Sequence, residues 1–159
     1  MISVTIAQES SRLMLADMLN AAMVGADLLE IRLDALSHVP PFREIVAAKR
    51  RPLLFSCRRP HEDGQWGGSE TDRRMLLRQA IMARADYVEI ELDVADDIAP
   101  FPGCQRVISY TNLEETPVDI ADIYRQMQSK QPDIIKITCR ANTPEEAWPL
   151  VQILGKPAV

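Results

Sequence analysis

The stretch "DLLEIRLD", residues 27–34, decides the fold. Leu29, Ile31 and Leu33 point one way, and Glu30, Arg32 and Asp34 point the other. "YVEIELD" (87–93) repeats the pattern, with Val88, Ile90 and Leu92 opposite Glu89, Glu91 and Asp93. In "DIIKITCR" (133–140), Lys136 shares its face with Ile134, Thr138 and Arg140. Alone, such alternation describes a half-exposed antiparallel strand. The segments between the strands argue otherwise.

Strands are predicted over 2–7, 27–34, 52–58, 87–93, 106–112 and 133–140. Helical patterns fall over 10–24, 41–48, 69–84, 120–128 and 143–154. In the third helix Met75, Leu76, Gln79 and Met82 form the expected inward face. "TPEE" (143–146) is a helix start, with Thr as N-cap, Pro at the first position and Glu in the first turn. Strands joined through helices by short connections make a parallel sheet covered on both faces. A parallel sheet with charges on one parity is best explained by a barrel. The apolar parity packs on outer helices, and the charged parity points into the lumen. The expected fold is therefore α/β, a partial (β/α)8 TIM barrel with six βα units. Residues 1–159 would form one domain lacking strands seven and eight, with "KPAV" reading as the start of a seventh strand. Six strands cannot close an eight-stranded barrel. Two parallel edges are then left for homo-oligomer formation or another association.

Composition narrows the function. With 47% hydrophobic and 26% charged residues, the 159-residue chain has the makeup of one globular domain. A net charge of −5 without a basic block argues against nucleic acid or anionic membrane as partner. Cys57, Cys104 and Cys139 are scattered, fit no metal or disulfide spacing, and suit a reducing cytoplasmic setting. "MISVTIAQES" lacks the basic region of a signal peptide, and no apolar run approaches the ~20 residues that span a bilayer.

The barrel reading sets the acids Glu30, Asp34, Glu89, Glu91 and Asp93 beside the bases Arg32, Arg58 and Lys136. Buried charges persist only when paired, so an ion network accounts for much of this set, notably Asp34, Glu89 and Asp93. Lys136 fits it less well, because its sequence neighbours are apolar. A lysine buried in a barrel has its pKa lowered by desolvation and by nearby cations, and when neutral it attacks carbonyls to form a Schiff base. From position alone, the nucleophile and the ion pair stand level.

"LLEIRLDAL", "PLLFSCRRPHEDGQWGG", "ADYVEIELD", "RVISYTNLEETP" and "PDIIKIT" occur in that order. Together they resemble the type I 3-dehydroquinate dehydratases, Schiff-base (β/α)8-barrel enzymes of the shikimate pathway and of aromatic amino acid biosynthesis. The resemblance runs from about residue 2 to 159. Its most specific part is 51–70, where a strand ends in Cys57-Arg58-Arg59-Pro60 and leads through Glu62 into a Gly-containing loop. It implies that Lys136 forms the imine with the substrate ketone and that Glu30, Arg32 and Arg58 bind the substrate. Glu62 would act from a mobile loop. The lysine itself supplies the electron sink, so no cofactor or metal is expected. The family's general acid–base is a histidine ending the fifth strand, in a Ser-Tyr-His type of motif. Here "SYTN" places Thr111 at that catalytic position, and the two histidines, His38 and His61, lie on other loops. The leading expectation is a lyase that dehydrates 3-dehydroquinate to 3-dehydroshikimate. The alternative is a non-catalytic barrel-derived relative or fragment acting as a binding or assembly module. An aldolase-type Schiff-base lyase would use a strand-six lysine but leaves the 57–60 loop unexplained.

Overall fold

The computed structural model describes residues 1–154. Its six strands are β1 (Ser3–Ile6), β2 (Leu28–Arg32), β3 (Leu53–Ser56), β4 (Tyr87–Glu91), β5 (Gln105–Asn112) and β6 (Ile134–Cys139). They lie in sequence order, every neighbouring pair parallel, and form a curled half-barrel. Helices α1 (Ser11–Met23), α2 (Phe42–Ala48), α3 (Glu70–Met82), α4 (Ile120–Ser129) and α5 (Pro144–Leu154) follow every strand except β4. The β4–β5 connection uses a single 3-10 turn, Leu92–Val94, where a helix would be usual. The expected partial (β/α) barrel is present, and "KPAV" lies outside the described residues.

The apolar parity packs outward as expected. Leu29, Ile31, Phe55, Val88, Ile90 and Ile108 meet Met14 and Met18 of α1, Ile45 of α2 and Leu77 of α3 in one buried core. At about 25 cal/mol per Å² of apolar area, this contact supplies most of the drive to curl the sheet under its helices. Side-chain caps fix the helix starts. Ser10 accepts from the Leu13 amide, Ser69 from Asp72, and Thr143 from Glu146, so "TPEE" does open α5.

Four expectations need correction. First, β2 and β4 each end in a 3-10 turn, Leu33–Ala35 and Leu92–Val94, which lifts Asp34 and Asp93 out of the ladder and away from the lumen. Asp34 instead accepts from Arg32 and from the amides of Arg58 and Gln65, and Asp93 from Arg59. Second, the buried face of α3 is Arg73, Leu76, Leu77, Ala80 and Ile81, while Met75, Gln79 and Met82 are exposed. An arginine inside the stripe disguised its true phase. Third, β6 is only half buried, with Ile134 and Thr138 exposed, because β5 is its single ladder partner among the described residues. Fourth, Lys136 is not buried; its side chain is 32% exposed.

Candidate active site

Four charged side chains meet on the concave face. Lys136 Nζ donates to Glu89 Oε2 at 2.7 Å and lies 4.0 Å from Glu30 Oε1. Arg58 Nη2 donates to Glu30 Oε1 at 2.9 Å, and Arg58 Nε stands 3.9 Å from Glu89 Oε1. Two carboxylates and two cations therefore alternate around a ring, so the cluster is formally neutral. Strand register explains the meeting. Lys136 is paired with Ser109 and Ser109 with Glu91, so Glu89 lies one inward position back on β4. Ser109, on the strand between them, is small enough for two long side chains to touch across it.

Glu30 is the most fully satisfied group. Thr5 Oγ1 and Ser56 Oγ each donate to it at 2.8 Å, from the strands on either side. Burial works against its ionisation, but Lys136, Arg58 and these hydroxyls hold its carboxyl below the usual range. Arg58 Nε is buried and makes no hydrogen bond among the described residues. A buried guanidinium N–H without an acceptor leaves one donor unspent beside Glu89.

Two further residues named from the sequence sit in clamps around this ring. Arg32 grips Asp34 with two bonds, Nε–Oδ1 at 2.9 Å and Nη2–Oδ2 at 2.6 Å, and Arg32 Nη2 also reaches the Asp63 carbonyl at 3.1 Å. Asp34 in turn accepts from the backbone amides of Arg58 (3.1 Å) and Gln65 (3.0 Å), which fixes the strand end that carries Arg58. Gly64 lets the loop pass this close: an added Cβ would lie 2.0 Å from the Arg58 carbonyl oxygen.

Glu62, expected on a mobile loop, is buried in a 3-10 turn, Pro60–Glu62. Arg59 Nε (3.0 Å) and Nη2 (3.3 Å) hold its carboxylate, and the same guanidinium bonds Asp93 at 2.6 and 2.9 Å. The loop is tied to the end of β4 rather than free. Thr111 is half buried on β5, in register with Thr138 and one inward position beyond Ser109. It stands next to the ring without belonging to it. Of the six residues named from the sequence, Lys136, Glu30 and Arg58 come together. Arg32, Glu62 and Thr111 border them.

Sequence reasoning assigned Glu89 to a structural network, yet it makes the shortest contact to Lys136. It missed Arg73 altogether. That guanidinium, 0% exposed, bonds both Glu91 oxygens from Nη1 (2.6 and 2.7 Å), the Cys57 carbonyl (2.9 Å) and, from Nε and Nη2, Glu70. Glu91 has inward parity but turns to α3 for its partner. Burial pushes its carboxyl up to about 7 against the pull of Arg73, with Glu62 adding to the rise. A cavity lined by Pro100, Phe101, Cys104, Arg106 and Asp133 is at the other end of the sheet, and none of the site residues above lines it.

A primary amine bonded to a buried carboxylate, with a second carboxylate and an arginine behind it, can exchange a proton locally and take up a carbonyl compound. A model of the type I 3-dehydroquinase family matches residues 2–157. The chain belongs to this family. It is 31% identical over 141 residues to the 3-dehydroquinate dehydratase of Methanopyrus kandleri, across 86% of this chain and 65% of that protein. It is 37% identical over 129 residues to the chloroplastic bifunctional 3-dehydroquinate dehydratase/shikimate dehydrogenase of Arabidopsis thaliana, across 74% of this chain and 21% of that one. The solved 3-dehydroquinate dehydratase of Enterococcus faecalis superposes with a TM-score of 0.81 at 25% identity, covering 95% of this chain and 70% of that structure. This type I 3-dehydroquinase chain thus spans less than two thirds of the curated relatives' length, and its strand order is that of a barrel run from β1 to β6.

Proposed function

We propose that the chain dehydrates 3-dehydroquinate to 3-dehydroshikimate through a Schiff base on Lys136, a hydro-lyase step of aromatic amino acid biosynthesis. The observation that carries this reading is the contact of Lys136 Nζ with Glu89 at 2.7 Å, inside a ring completed by Glu30 and Arg58. The relatives named above supply the substrate. In the proposed reaction the amine, once deprotonated, adds to the ketone carbon and water leaves to give the imine. The imine withdraws electrons, so a proton on the adjacent carbon departs, and the enamine then expels the β-hydroxyl as water. Hydrolysis of the product imine returns Lys136. Glu30, Arg32 and Arg58 would hold the substrate hydroxyls, and Glu62 would stiffen the loop above them. Thr111 occupies the histidine position, and its hydroxyl is too weak a base near neutral pH to carry the proton itself.

Borohydride with 3-dehydroquinate should add the reduced ligand's mass to the peptide that contains Lys136. An unmodified peptide would remove the imine.

The proposal extends to a single barrel-type domain in the cytoplasm, a setting that the free thiols of Cys57, Cys104 and Cys139 favour. No helix among the described residues is long and apolar enough to cross a membrane. A second reading, a binding or assembly module, draws on the half-exposed β6 with its exposed Ile134, and on the exposed Trp148 and Val151 of α5. Self-association at micromolar concentration in sedimentation velocity would favour it. A monodisperse monomer would count against association through these edges.

A further inference from the structure

Every Schiff-base elimination needs a proton acceptor at the amine and at the adjacent carbon, and Thr111 cannot supply one. We propose that Glu89 is the general acid–base of this site. The inference rests on the reading of Lys136 as the imine-forming amine and assigns the proton transfers that this reading leaves open.

The geometry carries it. Glu89 is buried, its side chain 5% exposed, and one carboxylate oxygen touches Lys136 Nζ at 2.7 Å. Its other oxygen meets only Arg58 Nε at 3.9 Å, beyond hydrogen-bond distance, so Glu89 keeps a free lone pair facing the ring. Glu30 is unsuited to the task. Its two oxygens already accept three hydrogen bonds, from Thr5, Ser56 and Arg58, and it stands 4.0 Å from the amine. Glu62 is spent on Arg59, and Glu91 on Arg73. Among the described residues, Glu89 is the one carboxylate within hydrogen-bond reach of the amine.

The protons balance. Glu89 takes one from the Lys136 ammonium, and the neutral amine adds to the ketone, whose oxygen takes a second proton from the nitrogen to become the carbinolamine hydroxyl. The protonated Glu89 returns that proton to the departing hydroxyl, which leaves as water. The α-carbon lies two bonds from the imine nitrogen, so an oxygen in contact with that nitrogen also reaches the α-proton. Glu89 removes it, its bonding pair forms the enamine, and Glu89 then protonates the β-hydroxyl as it leaves.

The test compares the parent chain with Glu89→Gln, which keeps the side chain's size. Two rates are read: borohydride trapping of 3-dehydroquinate on Lys136, and NMR-detected exchange of the α-proton in D2O. Both should fall by roughly 10²–10⁴-fold in Glu89→Gln, and Thr111→His in the same background should recover much of the exchange. A merely structural carboxylate would not be replaced by an imidazole four residues along the neighbouring strand from its register partner Val107. Should Glu89→Gln fail to fold, Glu89→Asp retains the charge and withdraws it by one methylene. Slowed exchange at an unchanged melting temperature then supports the assignment. Parent-like rates in whichever variant folds would overturn it alone. An unmodified Lys136 in the parent would overturn the imine reading, and this one with it.

Discussion

Arg73→Met is expected to lower folding stability by about 3–5 kcal/mol, or roughly 10 °C in thermal midpoint. The reason is the number of groups left behind. Arg73 is wholly enclosed, and its removal strands the Glu91 carboxylate, the Cys57 carbonyl and part of the bonding of Glu70. Methionine fills the space but donates to none of them. Arg73→Met combined with Glu91→Leu should recover more than half of the loss, because both buried charges then vanish together. Equal stability of the single and double variants in urea unfolding would show that the Glu91 pair contributes little. Cys57 directly precedes Arg58, so the single variant should also disturb the strand end that aims Arg58 at Glu30.

The same network sets a pH dependence whose sign follows from Glu91. Its carboxyl is raised to about 7 in the fold from an ordinary 4.5, so the folded protein binds the proton more tightly than the unfolded chain. That contribution is complete below pH 4.5, declines as pH rises, and is gone above about 7, a swing on the order of 3 kcal/mol. Glu30, Asp34, Glu70 and Asp93 are shifted the other way and lose their contributions only as pH falls through the acidic range. Between pH 5 and 8 the Glu91 effect stands apart from theirs. Arg73→Met takes away the cation that opposes the rise, so its penalty should be smaller at pH 5 than at pH 8. Glu91→Gln should flatten the profile over that interval.

Alternation in residues 27–34 and 87–93 was enough to read a curled parallel sheet, because a period of two combined with helical connections leaves few architectures. It could not say where each strand stops. Asp34 and Asp93 continue the pattern in sequence, yet backbone amides and Arg59 draw them into 3-10 turns, contacts made with residues more than twenty positions away. The phase of α3 was misread for a related reason. A buried arginine breaks the apolar stripe, and Glu91 and the Cys57 carbonyl on other elements, with Glu70, make its burial tolerable. Lys136, Glu30 and Arg58 were legible as a group through the motifs that carry them. Glu89 was not, because its importance lies in a distance across β5 that depends on register and on the small Ser109. Arg58 beside Glu30 and Lys136 beside Glu89 could have been exchanged without changing any sequence pattern.

Lys136 itself should separate chemistry from architecture through two substitutions. Lys136→Arg keeps a cation near Glu89, but guanidinium does not give up its proton and cannot add to a ketone. Its stability should stay within about 1 kcal/mol of the parent, while imine trapping disappears and turnover falls by roughly 10⁴-fold or more. Lys136→Met loses the chemistry equally and disturbs the fold as well. It strips the 2.7 Å partner from a carboxylate that is nearly enclosed and leaves only Arg58 at 3.9 Å. An added loss of about 1–3 kcal/mol is expected from the carboxylate left without its hydrogen-bond partner. Product formation followed by absorbance, together with thermal melts at pH 6 and 8, reads both halves. Retained turnover in Lys136→Arg would exclude Lys136 as the nucleophile. Equal melting of the arginine and methionine variants would mean that the Lys136–Glu89 contact adds nothing to the fold, leaving that pair to chemistry alone.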